Sequence, residues 1–252
     1  RGAAFYASNL DATLPVERGQ ALGNGSLVRA IQHATRKRPT AGGKPAPGIY
    51  RSASELVGAT NPVAVGDRLE TDIMGAVAAG VPAMHVLTGV HQAREVLRAP
   101  RGQRPAYLAI DMRGLLESHP APKHHRDGTW TCGLSQVAKV TRAGVLTLDD
   151  IELTDAVTIS IDSYRALAAA AWEWADGSGN PVTCPDMTVV DNDDPSGIVT
   201  APEPVADADD EFVEGADADA LPEPGEDTPA FLPGEEELEA LLESTADMDD
   251  EA

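Results

Sequence analysis

A parallel α/β fold is what this sequence predicts, on three observations. Residues 61–90 read as strand, helix and strand within about 30 positions, and both strands are apolar throughout, as in a βαβ unit of a sheet covered on both faces. All 19 basic residues lie at or before Arg165, so residues 1–175 balance them against 16 acids, whereas residues 176–252 carry 25 acids and no base. The net charge of −22 is therefore the property of a tail and not of the folded part. Finally, no apolar run approaches the roughly 18 residues that a spanning helix needs, and the opening RGAAFYASNL lacks the layout of a secretory signal, so no membrane association is expected.

Taken in order, AAFYAS at residues 3–8 reads as a short buried strand and the Pro-bearing NLDATLPVERG as a loop, the kind of segment that carries binding groups. GNGSLVRAIQHATRKRP places Ser26 as N-cap of an amphipathic helix that closes on a basic turn before Pro39. Its two glycines are read as turn geometry rather than a phosphate loop. A Gly-Gly-Lys-Pro turn leads to a helix over 47–57 that stops at Gly58, followed by a strand over 62–65, a turn at GDRLETD, a helix to Ala79 and the strand MHVLTG. Residues 91–128 are rich in Arg, Pro and His and are expected to be a connector crossing a sheet edge. WTCGLSQVAKVTRAGVLTLDD alternates as one or two strands, and IDSYRALAAAAWEWADG gathers Ile161, Tyr164, Leu167, Ala168 and Ala171 on one helical face. These form a small terminal α/β unit over 129–175. The acidic, Pro-rich stretch 176–252 is expected to be disordered, because it has too little apolar surface to offset the entropy of ordering. Cys132 and Cys184 show no metal or redox spacing, which suits unpaired thiols in the cytoplasm.

The chemistry is concentrated in VGDRLETDI. Asp67 follows an apolar strand and Asp72 starts a helix five residues on, so two carboxylates can converge on Mg²⁺, a cation that takes one or two such ligands from protein. Lys44, in its rigid turn, could balance a phosphate and an acidic nucleophile. Asp67 as a turn residue, Asp72 as a helix-start charge and Lys44 as a surface group are equally compatible with the spacing. His85 inside an apolar strand reads as a core histidine, the adjacent His124 and His125 as loop residues, and Trp172 and Trp174 as packing groups. No Walker loop, Gly-x-Ser-x-Gly elbow or basic-aromatic stripe is present, so no nucleic-acid partner is expected.

GKPAP followed by VAVGDRLETDIMGAVAAGVPAMHVLTGV resembles the third and fourth motifs of the haloacid dehalogenase (HAD) superfamily, and more narrowly its NagD-like, p-nitrophenyl-phosphatase-like branch. ASNLDATLPVERGQALGNGSLVRAIQHATRKRP is similar to the end of that branch's cap domain. The similarity covers about residues 3–92; the terminal unit and tail lie outside it. It implies a partial Rossmann-like core at 41–92 preceded by the end of an α/β cap at 1–40. It also implies a Mg²⁺-dependent hydrolysis of a small phosphomonoester through an aspartyl-phosphate. Lys44 would contact the phosphoryl group, Asp67 would ligate Mg²⁺, Asp72 would steady that metal, Asn9 and Asp11 would face substrate, and Gly66 would allow close backbone approach.

The family's Asp-x-Asp nucleophile pair, however, precedes the cap. With Arg and not Met at its start, the chain is expected to be a carboxyl-terminal portion, inactive alone, whose missing half is encoded upstream. Asp191 and Asp193 in MTVVDNDD are the one late Asp-x-Asp and read as an acidic tail segment. The alternative is a non-catalytic interaction protein whose tail recruits a basic partner.

Overall fold

The computed structural model describes residues 2–199. In chain order its elements are β1 (Tyr6–Ala7), β2 (Thr13–Val16), β3 (Gly19–Leu22), α1 (Asn24–Thr35), β4 (Thr40–Ala41), α2 (Gly48–Leu56) and β5 (Ala64–Gly66). A single π-helical turn (Leu69–Ile73) enters α3 (Met74–Ala79), followed by β6 (Ala83–Val86), α4 (Ala93–Leu97) and β7 (Tyr107–Ala109). Then come β8 (Lys123–His124), β9 (Trp130–Thr131), β10 (Ala138–Val140), β11 (Leu146–Leu148), β12 (Ile151–Glu152), β13 (Val157–Ser160), α5 (Ile161–Ser178) and β14 (Met187–Val190).

The α/β architecture with parallel pairing is present: β5, β6 and β7 form a parallel sheet in that order, and β1 pairs parallel with β4. Every residue of β6 is buried, because β6 is central and both of its faces are covered. Met84, Val86 and Ala109 pack on one side. The main core lies around α5, where Tyr164, Leu167 and Ala171 are fully enclosed with Leu146, Leu148, Ile159, Val96 and Leu97. The apolar stripe read along the last helix is thus the stripe that is buried. Ser160 caps that helix, accepting the Ser163 N–H at 3.2 Å.

Several elements differ from expectation. The loop read over NLDATLPVERG contains β2 and, across a two-residue turn, pairs with β3 in register Thr13 with Leu22 to Val16 with Gly19. Tyr6 in the short strand is exposed, and only Ala7 is buried. Ser26 is not the helix cap: Gly23 occupies that position, and Ser26 Oγ instead donates to the Ala12 carbonyl at 2.6 Å, tying α1 to the hairpin. The connector expected over 93–128 holds α4, opened by a reciprocal Gln92–Glu95 capping box, and β7, the third strand of the parallel sheet. In the terminal region, β8 to β12 form a five-stranded antiparallel sheet where one or two strands were expected. The acidic segment begins later than its composition suggests. α5 runs through Ser178, Val182 and Cys184 are buried, and β14 pairs in parallel with β13. Residues 176–199 are therefore part of the fold, and the remainder of the expected tail, with its leucine-bearing segment near 238–242, lies outside the described residues.

No helix among the described residues is long and apolar enough to cross a membrane. Leu14, Val16, Leu22, Leu27 and Ile31 are exposed, so the hairpin and α1 present an apolar surface that nothing in the described residues covers.

Candidate functional site

Three loops converge at the carboxyl ends of parallel strands, where an open α/β sheet leaves room for a ligand. They are the segment between β1 and β2, the turn between β4 and α2, and the segment after β5. The first two are clamped by backbone: Gly42 donates to the Ala7 carbonyl at 2.9 Å, and Leu10 donates to the Lys44 carbonyl at 2.9 Å. Lys44 is thereby aimed at the third loop. Its Nζ donates to Asp72 Oδ1 at 2.7 Å and lies 3.7 Å from Asp11 Oδ2.

Asp72 sits in the π-helical turn and is 9% exposed. A π turn inserts an extra residue into the helical repeat and so re-aims a side chain, which is why such turns gather at functional sites. Its Oδ2 accepts the Arg68 N–H at 3.1 Å, and its carbonyl accepts the Tyr50 hydroxyl at 2.9 Å. Gly66 makes this possible, since a Cβ there would collide with the Asp72 side chain. Burial of Lys44 pulls its pKa down, but the hydrogen bond and charge of Asp72, with Asp11, outweigh that and hold the ammonium above its ordinary 10.5. Burial, then the Asp72 charge, raise Tyr50. The lysine is thus a fixed cation between two carboxylates.

Asp67 is placed separately. Its Oδ2 accepts the Val90 N–H at 2.7 Å, and Gly89 leaves the space that this approach needs, because a Cβ would overlap the carboxylate. The Asp67 carbonyl accepts the His91 N–H at 3.2 Å and faces His85 Nε2 at 3.2 Å. No hydrogen bond reaches Asp67 Oδ1 among the described residues, so one carboxylate oxygen remains for a ligand. His91 Nδ1 accepts the Leu69 N–H at 3.0 Å and lies 3.4 Å from Glu70 Oε2.

Of the residues singled out in the sequence, Lys44, Asp72 and Asp11 form one cluster, and Asp67 stands on the adjoining loop without an ion pair to Lys44. Asn9 does not reach the lysine: its Oδ1 accepts the Asp11 N–H at 3.3 Å and its carbonyl accepts Asn24 Nδ2 at 2.7 Å, so it shapes the loop that carries Asp11. Asp11 Oδ1 is buried without a hydrogen-bond partner. Asp191 and Asp193 are exposed beyond β14, and Asp191 approaches Arg113, in the turn that follows β7, at 3.9 Å. The sequence alone assigns no part in the site to Arg68, Tyr50, Gly89, Val90 or His85. Arg68 could have been noticed, since it lies between Asp67 and Asp72; the others meet the site only through folding. The oxygen donors suit a hard cation, although no group of three or more metal-binding side chains exists among the described residues.

Residues 41–115 match the HAD-hydrolase-like family. The chain is 39% identical over 172 residues to a D-glycerol 3-phosphate phosphatase of Mycobacterium tuberculosis, covering 68% of this chain and 48% of that protein. It is 34% identical over 114 residues to an acid sugar phosphatase of Staphylococcus haemolyticus, covering 44% and 43%. A solved glycerol phosphate phosphatase of Mycobacterium tuberculosis in complex with magnesium superposes with a TM-score of 0.52 at 33% identity, covering 75% of this chain and 52% of that one. The chain spans about half the length of the curated relatives it matches. A 172-residue match also extends well past the segment 3–92 whose motifs carry the resemblance, into the region built on α5.

Proposed function

We propose, for a chain that carries a HAD-like hydrolase domain with relatives among phosphatases, that it supplies the lysine and metal side of a Mg²⁺-dependent phosphomonoester hydrolase. The observation that carries this reading is the Lys44–Asp72 ion pair of 2.7 Å, fixed at the end of β5 beside an Asp67 carboxylate with one oxygen unengaged. Asp67 and Asp72 would hold Mg²⁺, Asp67 directly and Asp72, already engaged by Lys44 and Arg68, through water. When bound, the cation supplies positive charge against phosphoryl oxygens. Lys44 adds a second fixed cation that binds the phosphoryl group, and Asp72 keeps that ammonium in place and protonated. Gly66 lets Asp72 fold against the strand end. Asp11, whose buried Oδ1 has no partner, and Asn9, which sets the turn beneath it, line the substrate side.

The reaction is the hydrolysis of a small phosphomonoester of about glycerol-phosphate size through an aspartyl-phosphate. Among the described residues no attacking carboxylate pair stands at this site, and the chain alone is expected to bind Mg²⁺ but not to turn over. The exposed Leu14, Leu22, Leu27 and Ile31 support this, since they form a surface suited to the remaining half of such an enzyme. A cytoplasmic setting suits the free thiols of Cys132 and Cys184.

The test uses the purified chain. Calorimetric titration with Mg²⁺ should show binding that Asp67→Ala abolishes, while p-nitrophenyl phosphate should be hydrolysed no faster than background. Absence of Mg²⁺ binding would remove the metal reading, and hydrolysis that disappears in Asp67→Ala would show that the nucleophile is present after all.

A further inference from the structure

We propose that Arg68 is a positioning residue that couples docking of the β2–β3 hairpin to assembly of the Asp67–Asp72 loop; the inference rests on the metal-side reading above. Arg68 is only 6% exposed, which is unusual for a guanidinium, and burial of a charge is tolerated only when its hydrogen bonds are satisfied. Its Nη2 donates to both the carbonyl and the Oγ1 of Thr13, at 2.8 and 3.0 Å. The nearest carboxylate, Glu70, is half-buried and 3.9 Å away, beyond hydrogen-bond distance, so it does not replace these bonds. The side chain of Arg68 is therefore held by a residue 55 positions earlier in the sequence.

The backbone of the same residue faces the other way, donating its N–H to Asp72 Oδ2 at 3.1 Å, the carboxylate whose second oxygen pairs with Lys44. The root of the hairpin is also tied to that lysine, through Leu10 N–H to the Lys44 carbonyl and through Asp11 Oδ2 at 3.7 Å from Nζ. Hairpin, lysine turn and carboxylate loop thus close a ring of contacts. If the hairpin lifts away, Arg68 loses two charge-assisted bonds. Bonds of this kind are worth roughly a tenfold factor or more in an equilibrium. By linkage, whatever stabilises the carboxylate loop must then stabilise the docked hairpin by the same factor.

Hydrogen exchange measured by mass spectrometry on the full chain, with and without Mg²⁺, tests this. In the unsubstituted chain, Mg²⁺ should slow exchange across residues 13–22 by about tenfold. Arg68→Met, which leaves no buried charge behind, should abolish that response and raise metal-free hairpin exchange by about tenfold. Thr13→Val, which removes only the Oγ1 contact, should reduce the response part-way, and unchanged protection of β5–β7 would show that both variants are folded. Mg²⁺ binding without a change in hairpin exchange, or equal responses in all three proteins, would overturn the coupling. If Mg²⁺ gives no heat of binding, it is the metal reading that fails, and the metal-free comparison still decides whether Arg68 holds the hairpin: equal rates would refute it.

Discussion

His85 shows at the scale of one residue how the site is held from behind. It is fully buried in β6, with Nε2 3.2 Å from the Asp67 carbonyl, so Nε2 donates and Nδ1, which has no partner, is the unprotonated nitrogen. Burial pushes its pKa down to about 4, partly opposed by that bond to Asp67. The unfolded chain, with a value near 6.5, takes up the proton first as the solution is acidified. Stability due to neutral His85 is therefore complete above about pH 6.5 and disappears as the pH falls towards 4, by up to about 3 kcal/mol. Urea unfolding between pH 7 and pH 4.5 should show a steeper loss for the unsubstituted chain than for His85→Gln; parallel curves would mean that His85 does not titrate this way. The sequence marked His85 as a core histidine, and Lys44, Asp67 and Asp72 as chemistry, because each stands in a local pattern. It gave no sign of Val90 or Thr13 as partners, because a backbone N–H and a hydroxyl have no signature until the chain brings them near.

At the scale of elements, α5 organises the second half of the molecule through a buried pair invisible to helical periodicity. Asp162 accepts Arg165 Nη1 at 2.9 Å and the Leu134 N–H at 3.0 Å, and Arg165 also donates to the Leu108 carbonyl at 3.2 and 3.0 Å. The pair therefore fastens β7 and the segment before β10 to one helix. Asp162→Ala would strand the guanidinium in the interior, and chemical denaturation should show a loss of about 3–5 kcal/mol, with Asp162→Asn less affected. A loss below about 1 kcal/mol would show that Arg165 escapes to solvent. Helices α1, α2, α3 and α5 were legible because each spans enough residues to display an apolar stripe and a stop signal. β8, β9 and β12 have two residues each, too few for an alternation to register, and β7 lies in YLAIDMRGLL, one short apolar stretch in a segment otherwise rich in Arg and Pro that reads as a connector.

The whole molecule corrects the most confident-looking boundary in the sequence. The change in charge at 176 falls inside α5, and the chain then returns through Thr183, which pairs with Val145, to lay β14 beside β13. A chain ending at 175 should therefore be less stable than one ending at 199, by at least about 3 kcal/mol from the lost burial of Val182 and Cys184 alone, measured by urea titration. Equal stability of the two would show β14 to be dispensable. Any deletion designed to probe the acidic residues as a recruiting segment must accordingly start after residue 199.

Short-range physics made the α/β character, the βαβ unit and the Lys44, Asp67 and Asp72 motifs readable from the amino acids in order. Periodicity, caps and a strand end followed by a carboxylate all lie within one or two turns of chain. Tertiary structure alone decided that Thr13 satisfies Arg68, that Val90 holds Asp67, and that β7 and β14 extend their sheets. Such pairings join residues tens of positions apart. Their energy comes from burying polar groups that find partners only at closure, so composition can indicate that partners are needed but not which ones.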